Sequence, residues 1–337
     1  MKAAVWYNNR DVRIEERPLP APGPGEMTVK VHSCGICGSD VVEWYRLPRA
    51  PLVLGHEIGA EVVETGPGVT DFVPGDRVFI APKAPCGECK YCRGGHHPQC
   101  EGVRERLPGG FAEYVLVPRV LVEHGCHRLP DTISFDRATF IEPLACVIRS
   151  QAMAGLRGGQ SLLVLGCGMS GLLQVQLAKR RGCRVVATDV DASRRERAAA
   201  LGADLVIPAG EDVAGAASEF FGGKADVVVI CTAALQAVGQ AWAAVDKGGA
   251  VVFFAVPGPE KQVILPANDL WTKEIRILTS YYCGPQDLRE SIGLLAAGEI
   301  EVDSLVTHRL PLEETARGFQ LVLGRSEAVK VIIKPHG

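Results

Sequence analysis

The chain has 337 residues, 47% of them apolar and 22% charged, with a net charge of −3. That is long enough for two cored domains, and the near-balanced charge removes the electrostatic reason to expect nucleic acid or an anionic membrane as partner. No apolar run reaches the roughly 18–20 residues that a membrane span needs. The first twenty residues lack an apolar stretch followed by a small-residue cleavage site, so the expected location is the cytoplasm.

Residues 1–145 predict a β-rich body. Short apolar or alternating runs (MKAAVWY, MTVKVHSCG, GAEVVETG, DRVFI, GGFAEYVLV) are separated by the Pro- and Gly-bearing turns PLPAPGPGE, ETGPGV, VPGD and RLPGG. Within this body, Cys86, Cys89, Cys92 and Cys100 form C-x2-C-x2-C-x7-C. In a reducing compartment such spacing points to a metal before a disulfide. Four thiolates wrapped closely around one ion fill a tetrahedral zinc sphere and leave no position for a substrate, which makes the site structural. The spacing matches neither common ferredoxin run. His96 and His97 lie inside the same loop, and with four sulfurs already sufficient they are expected in solvent.

Residues 146–284 have a different texture. The fully apolar strand SLLVL precedes the helix SGLLQVQLAKRRG, and RVVATD, DLVIP, ADVVVI, GGAVVFFAV and EIRILTSYY continue the alternation of strands with helices. Strands apolar along their whole length predict a parallel sheet covered on both faces. Between the first strand and its helix stands G-x-G-x-x-G: Gly166, Cys167, Gly168, Met169, Ser170 and Gly171. In that context the glycines permit a tight turn, close approach of the backbone to a pyrophosphate, and close helix–strand packing. Asp189 ends the next strand, eighteen residues after Gly171. A carboxylate there accepts from ribose hydroxyls and repels a 2′-phosphate, which favours NAD. Arg194 and Arg195 pull towards NADP, although Arg194 is also placed to bind the ribose. Residues 285–337 add two helix–strand pairs and read as a return to the first body. Six further cysteines (Cys126, Cys146, Cys167, Cys183, Cys231, Cys283) are scattered singly and read as small hydrophobes of the core.

The remaining motifs are Cys34-Gly-Ile-Cys37-Gly-Ser39-Asp40 and Gly55-His56-Glu57. With the four-cysteine loop, the glycine loop and the C-terminal return, they make the chain resemble, over essentially its whole length, the zinc-containing medium-chain dehydrogenase/reductase superfamily. The subgroup it is most similar to is that of sorbitol, polyol and threonine dehydrogenases. The resemblance implies an α/β protein with a GroES-like catalytic domain over 1–145, the zinc lobe at 86–100 within it, a Rossmann domain over 146–284 that binds NAD, and a catalytic-domain return over 285–337. It implies two zinc ions per chain, one structural and one catalytic.

By the same resemblance Cys37 and His56 are catalytic-zinc ligands and Cys34 belongs to the core. Glu142, in TFIEPLACV, looks like the third ligand or one that reaches the metal through a water. Glu57 is the neighbour that enters or leaves the sphere, and Cys146 is a competitor for the third position. A three-ligand site leaves one position open, where the metal lowers the pKa of a substrate hydroxyl. Ser39 matches the hydroxyl that begins the proton relay. Two departures stand out. Val42 occupies the place of the relay histidine, and Ala60 occupies that of a glycine, with Gly59 shifted by one.

The implied activity is hydride transfer between a polar secondary alcohol (polyol, sugar alcohol or cyclitol) and NAD. Threonine 3-dehydrogenase or simple alcohol dehydrogenase activity is the nearest alternative, and a non-enzymatic zinc-binding or redox-sensing protein is the alternative of another class. Candidate pocket walls are Ser39, Trp44, Tyr45 and Glu142, with Tyr281 and Tyr282. Expected partners are a small alcohol or ketone and further copies of the chain, as a dimer or tetramer joined through the GGAVVFFAV and EIRILTSYY strands, without nucleic acid or membrane.

Overall fold

The computed structural model describes residues 1–103, 105–324 and 328–337. Contacts divide the chain into two units: Met1–Pro143 with Cys283–Gly298 and Val302–Gly337, and Leu144–Tyr282 with Glu299–Glu301. The division falls inside a helix, Ile141–Ala154, near the point where the sequence changes texture. No described helix is long and apolar enough to cross a membrane.

The first unit is built on a mainly antiparallel sheet. Its order is Val306–Pro311, Lys330–Lys334, Met27–Gly35, Glu57–Thr65, Arg77–Ile80, Cys126–Arg128, and Tyr114–Val117 pairs the first half of Met27–Gly35. A smaller sheet joins Asp11–Glu16, Lys2–Asn8 and Leu52–Val53. Val29 and Val31 alternate with Lys30 and His32, so one face of their strand goes inward. There they join a core that includes Trp6, Met27, Ile58, Val62, Val78, Phe111 and Phe319. The GHE strand shows where a glycine is needed. A Cβ on Gly59 would stand 2.5 Å from the carbonyl oxygen of Phe135, whereas Ala60 is fully buried opposite Val31 and Val78. The glycine requirement therefore lies at 59, and the methyl of Ala60 is accommodated in the core.

The second unit is a parallel sheet ordered Leu205–Pro208, Arg184–Asp189, Ser161–Leu165, Ala225–Ile230, Val245–Phe253, Arg276–Thr279. In sequence terms this is the 3-2-1-4-5-6 order of the doubly wound nucleotide fold. Every residue of Ser161–Leu165 is buried, as both-face coverage requires. The helix Met169–Arg180 is more deeply buried than an amphipathic pattern suggests, because Gln174 and Gln176 are inside with the leucines. Gln176 explains why three residues of the C-terminal segment belong to this unit. Its amide donates to the Glu301 carbonyl at 2.8 Å and accepts from the Glu301 N–H at 2.7 Å, while Arg180 pairs with Glu299.

Candidate functional site

Register brings the site together in the first unit. Met27–Gly35 pairs with Glu57–Thr65 so that Gly35 faces Glu57 and Cys34 faces Ile58. Cys37 and His56 follow and precede these paired ends, and so they meet. The ligand atoms of Cys37, His56 and Glu57 all lie within 4.8 Å of one another. On the other side of Met27–Gly35, Ile332 pairs with Gly35, which carries Lys330 past the strand end to Glu57. The two charged side chains are fully buried and in contact through Lys330 Nζ and Glu57 Oε2. Gly35 makes the room, since a Cβ there would stand 2.4 Å from Glu57 Oε2 and 2.6 Å from Lys330 Nζ.

Around this trio sits a shell of fixed polar groups. Asp40, fully buried, accepts from His56 Nδ1 at 3.2 Å, from Arg46 Nη2 at 3.1 Å and from the Cys37 N–H at 3.0 Å. Burial alone would raise its pKa, but His56 and Arg46 beside it keep the carboxyl below its ordinary range. Burial likewise opposes a charge on His56, yet Asp40 and Cys37 hold its pKa well above the usual value. With Nδ1 committed to Asp40, Nε2 is the nitrogen left for a ligand. Ser39 Oγ lies 3.4 Å from Cys37 Sγ and accepts from Arg46 Nη2 at 2.9 Å. Cys34 is fully buried, and burial pushes its thiol well up, as befits a core residue.

The trio fits a metal ion on one decisive observation. Glu57 Oε1 is buried without a hydrogen-bond partner while Oε2 is taken by Lys330. A carboxylate oxygen orphaned in a dry interior is costly, and a cation between it, Cys37 and His56 removes that cost. Glu142, buried at 5% exposure, is grouped instead with Cys283, within 4.8 Å of it, and Cys146 follows Glu142 one helical turn later.

The second cluster is Cys86, Cys89, Cys92 and Cys100, with all sulfurs within 4.8 Å of one another. The separations Cys89–Cys92 and Cys86–Cys92 are 3.5 and 4.0 Å, against about 3.8 Å between sulfurs of a tetrahedral zinc. The backbone N–H of Cys92 beside it brings the Cys89 thiol down to about 6, while burial pushes Cys92 up to about 12. The set fits a closed, four-sulfur zinc. His96 is exposed as expected, whereas His97 is half-buried: a Cβ on Gly284 would stand 2.7 Å from its Nδ1.

In the second unit, Gly166–Gly171 turns from strand to helix. A Cβ on Gly171 would stand 1.9 Å from the Gly166 carbonyl oxygen. The helix N-terminus has no side-chain cap, which leaves its first N–H groups to an anion. Asp189 accepts from the N–H groups of Cys167 at 2.7 Å and Asp191 at 3.0 Å, one on each oxygen. Arg195 is occupied with the carbonyls of Asp189 and Val190, at 2.8 and 3.0 Å.

Comparison with known proteins places this geometry. Residues 23–131 match the alcohol dehydrogenase GroES-like domain, and residues 171–297 match the zinc-binding dehydrogenase family. Sorbitol dehydrogenase from Gallus gallus is 34% identical over 98% of this chain and 96% of its own. Sorbitol dehydrogenase from Halalkalibacterium halodurans is 33% identical over 99% of both. The chain belongs to the zinc-dependent medium-chain alcohol dehydrogenase family. The crystal structure of 2R,3R-butanediol dehydrogenase from Bacillus subtilis superposes with a TM-score of 0.88, at 29% identity over 99% of each chain. This member is an oxidoreductase of CH–OH groups that uses zinc and NAD(P).

For this dehydrogenase the sequence motifs pointed to Cys37, His56, Glu57 and Ser39, and missed Lys330 and Arg46. The signal for Lys330 was a lysine in the otherwise apolar final strand AVKVIIKP. For Arg46 no sequence pattern was available, because its role depends on the short helices that follow Cys37. Trp44 is half exposed and packs edge-on to Tyr45, on whose ring the Arg46 and Arg49 guanidinium groups lie at 4.9 and 5.3 Å. Tyr281 is exposed, and Tyr282 adopts φ 59°, both in the second unit.

Proposed function

We propose that the enzyme oxidises a secondary alcohol flanked by another hydroxyl, a polyol or vicinal diol, to the ketone with NAD. The observation that carries this is the trio Cys37, His56 and Glu57 with its orphaned carboxylate oxygen, which supports a site made of one thiolate, one imidazole and one carboxylate. Glu142 stands as a further carboxylate acting through a bound water. Zinc held there would supply Lewis-acid polarisation of the alcohol oxygen, and NAD held at the glycine loop would supply the hydride acceptor.

The chain's own groups do the rest. Asp40 fixes the His56 tautomer, Lys330 balances the charge of Glu57, and Ser39 Oγ lies 3.4 Å from Cys37 Sγ. Cys86, Cys89, Cys92 and Cys100 hold the structural metal. The loop Gly166, Gly168, Met169, Ser170 and Gly171 receives the pyrophosphate. Each Asp189 oxygen accepts one backbone N–H, which leaves lone pairs for ribose hydroxyls, and Arg195 is spent on backbone carbonyls. That leaves Arg194 at the ribose and supports NAD over NADP.

The relatives named for sorbitol and for 2R,3R-butanediol share a carbinol beside a second hydroxyl, which is why that class is preferred to threonine or simple alcohols. The edge strand Arg276–Thr279 with its exposed Ile277, together with exposed Ile264 and Trp271 in the segment that precedes it in sequence, supports a homo-oligomer built on that edge. Twelve free thiols suit a reducing cytoplasm.

The test is a panel of sorbitol, other polyols, butane-2,3-diol stereoisomers, cyclitols, threonine and ethanol, assayed with NAD and NADP. Polyols or diols with NAD are the expected best pairs, and a preference for threonine or ethanol overturns the substrate class. Asp189→Gly is expected to reduce the NAD-to-NADP ratio of kcat/KM by about tenfold, because a repulsion worth at least ~1.4 kcal/mol is removed.

A further inference from the structure

Three residues beyond Ser39 the chain carries Val42, whose side chain neither gives nor takes a proton. What stands behind its hydroxyl is Arg46. The Arg46 side chain is only 11% exposed and is held at three points. Nη2 donates to Ser39 Oγ at 2.9 Å and to Asp40 Oδ1 at 3.1 Å, and Nε donates to the Ser39 carbonyl at 3.0 Å. The Tyr45 ring lies 4.9 Å from its guanidinium carbon. The planar guanidinium suits this forked arrangement, which an ammonium cannot reproduce.

A hydroxyl has one proton and two lone pairs. With Arg46 donating into one lone pair, the Ser39 proton must point away from the guanidinium, and the acceptor it reaches is Cys37 Sγ at 3.4 Å. The guanidinium has five N–H donors and no acceptor, so it gives hydrogen bonds and takes none.

We propose that Arg46 is a positioning residue that locks Ser39 as a hydrogen-bond donor towards the reacting oxygen and closes the inward proton route behind it. During oxidation the alcohol gives hydride to NAD and its proton to solvent water on the partly exposed Cys37 side, and none passes onward beyond Ser39. The same guanidinium shares Asp40 Oδ1 with His56 Nδ1, so it ties the orientation of the hydroxyl to that of the imidazole. This rests on the reading of Cys37 and His56 as the reacting centre.

The experiment uses the metal-loaded enzyme, with Arg46→Met, Arg46→Lys, Ser39→Ala and the double variant Ser39→Ala/Arg46→Met. Steady-state kcat and KM, the solvent deuterium isotope effect on kcat, and the rate of metal loss to a chelator are measured for each. Arg46→Met is expected to reduce kcat about tenfold, with the KM for NAD unchanged and an altered solvent isotope effect. In the Ser39→Ala background the same change is expected to cost less than about threefold, because its effect runs through Ser39. Arg46→Lys restores part of kcat, since one ammonium reaches Ser39 Oγ without the second anchor. Metal loss accelerates in Arg46→Met through the loosened Asp40.

Equal cost of Arg46→Met in both backgrounds, or an unchanged kcat and isotope effect, overturns the proposal. Should Arg46→Met fail to fold, Arg46→Lys carries the test: a kcat cost of Arg46→Lys that shrinks in the Ser39→Ala background supports the proposal, whereas an equal cost in both backgrounds overturns it. Cys37→Ala separates the two ideas: if that variant keeps full activity the reacting centre is wrong, whatever Arg46 does.

Discussion

The two metal-capable clusters of this dehydrogenase are opposite solutions. The four-cysteine lobe gathers its sulfurs from fifteen consecutive residues on a loop, and three of the four are only partly buried. The Cys37 cluster draws on residues 37, 56, 57 and 330, delivered by three paired strands, and surrounds them with buried charges. In the lobe four sulfurs face one another and would together fill the sphere of one ion. In the strand-built site one carboxylate oxygen is orphaned and one side of Cys37 is open. A closed set contributes folding energy, while an open set retains reactivity at the expense of buried polar groups that neighbours must balance.

The largest expected effect comes from breaking the open site. Cys37→Ala should lower kcat by about a thousandfold or more, as removal of several kcal/mol of charge stabilisation implies. NADH binding should stay near wild type, Tm should fall by what the bound ion contributes, and metal analysis should fall from two ions per chain to one. Retention of both ions with normal turnover would reverse the roles assigned to the clusters.

A second change probes the balance of charge. Lys330→Met leaves Glu57 buried without its partner, which should cost about 3–5 kcal/mol of unfolding free energy in chelated protein. Denaturant titration with and without added zinc measures it. Zinc should recover more stability in the variant than in the wild type, because the metal then becomes the nearest positive charge to Glu57. Equal recovery in both would mean that the Glu57 carboxylate does not face the metal.

The smallest effect belongs to the lobe. Cys92→Ser should release that ion and lower Tm by roughly 6–12 °C, for a loss of ~3 kcal/mol in a domain of this size. Limited proteolysis should then cut within residues 86–100 while the other metal stays bound. Loss of both ions together would show that the lobe supports the strand-built site, and the contrast between the two would weaken.

Much of this was legible without coordinates. The glycine loop between an apolar strand and its helix, the Asp189 carboxylate at the next strand end, and the four cysteines of the lobe are local patterns. Their partners lie within a few tens of residues along the chain, so spacing carries the geometry. Cys37, Ser39, His56 and Glu57 were legible as motifs, although the motifs left open which carboxylate accompanies Cys37 and His56. In the structure Glu57 lies beside them, and Glu142 lies beside Cys283.

The sequence by itself determined the two-part α/β architecture, the nucleotide loop and the chemistry of each donor set, because periodicity and short-range spacing dictate those. Tertiary structure alone decided what surrounds the donors. Lys330 reaches Glu57 only because the final strand pairs with Met27–Gly35 in one register, and a slip of one residue would turn its side chain to the other face. Arg46 meets Ser39 and Asp40 only because a turn of 3-10 helix and a short α-helix fold the chain back after Cys37. Long-range register and local backbone reversal are set by the whole core, and no short motif encodes them.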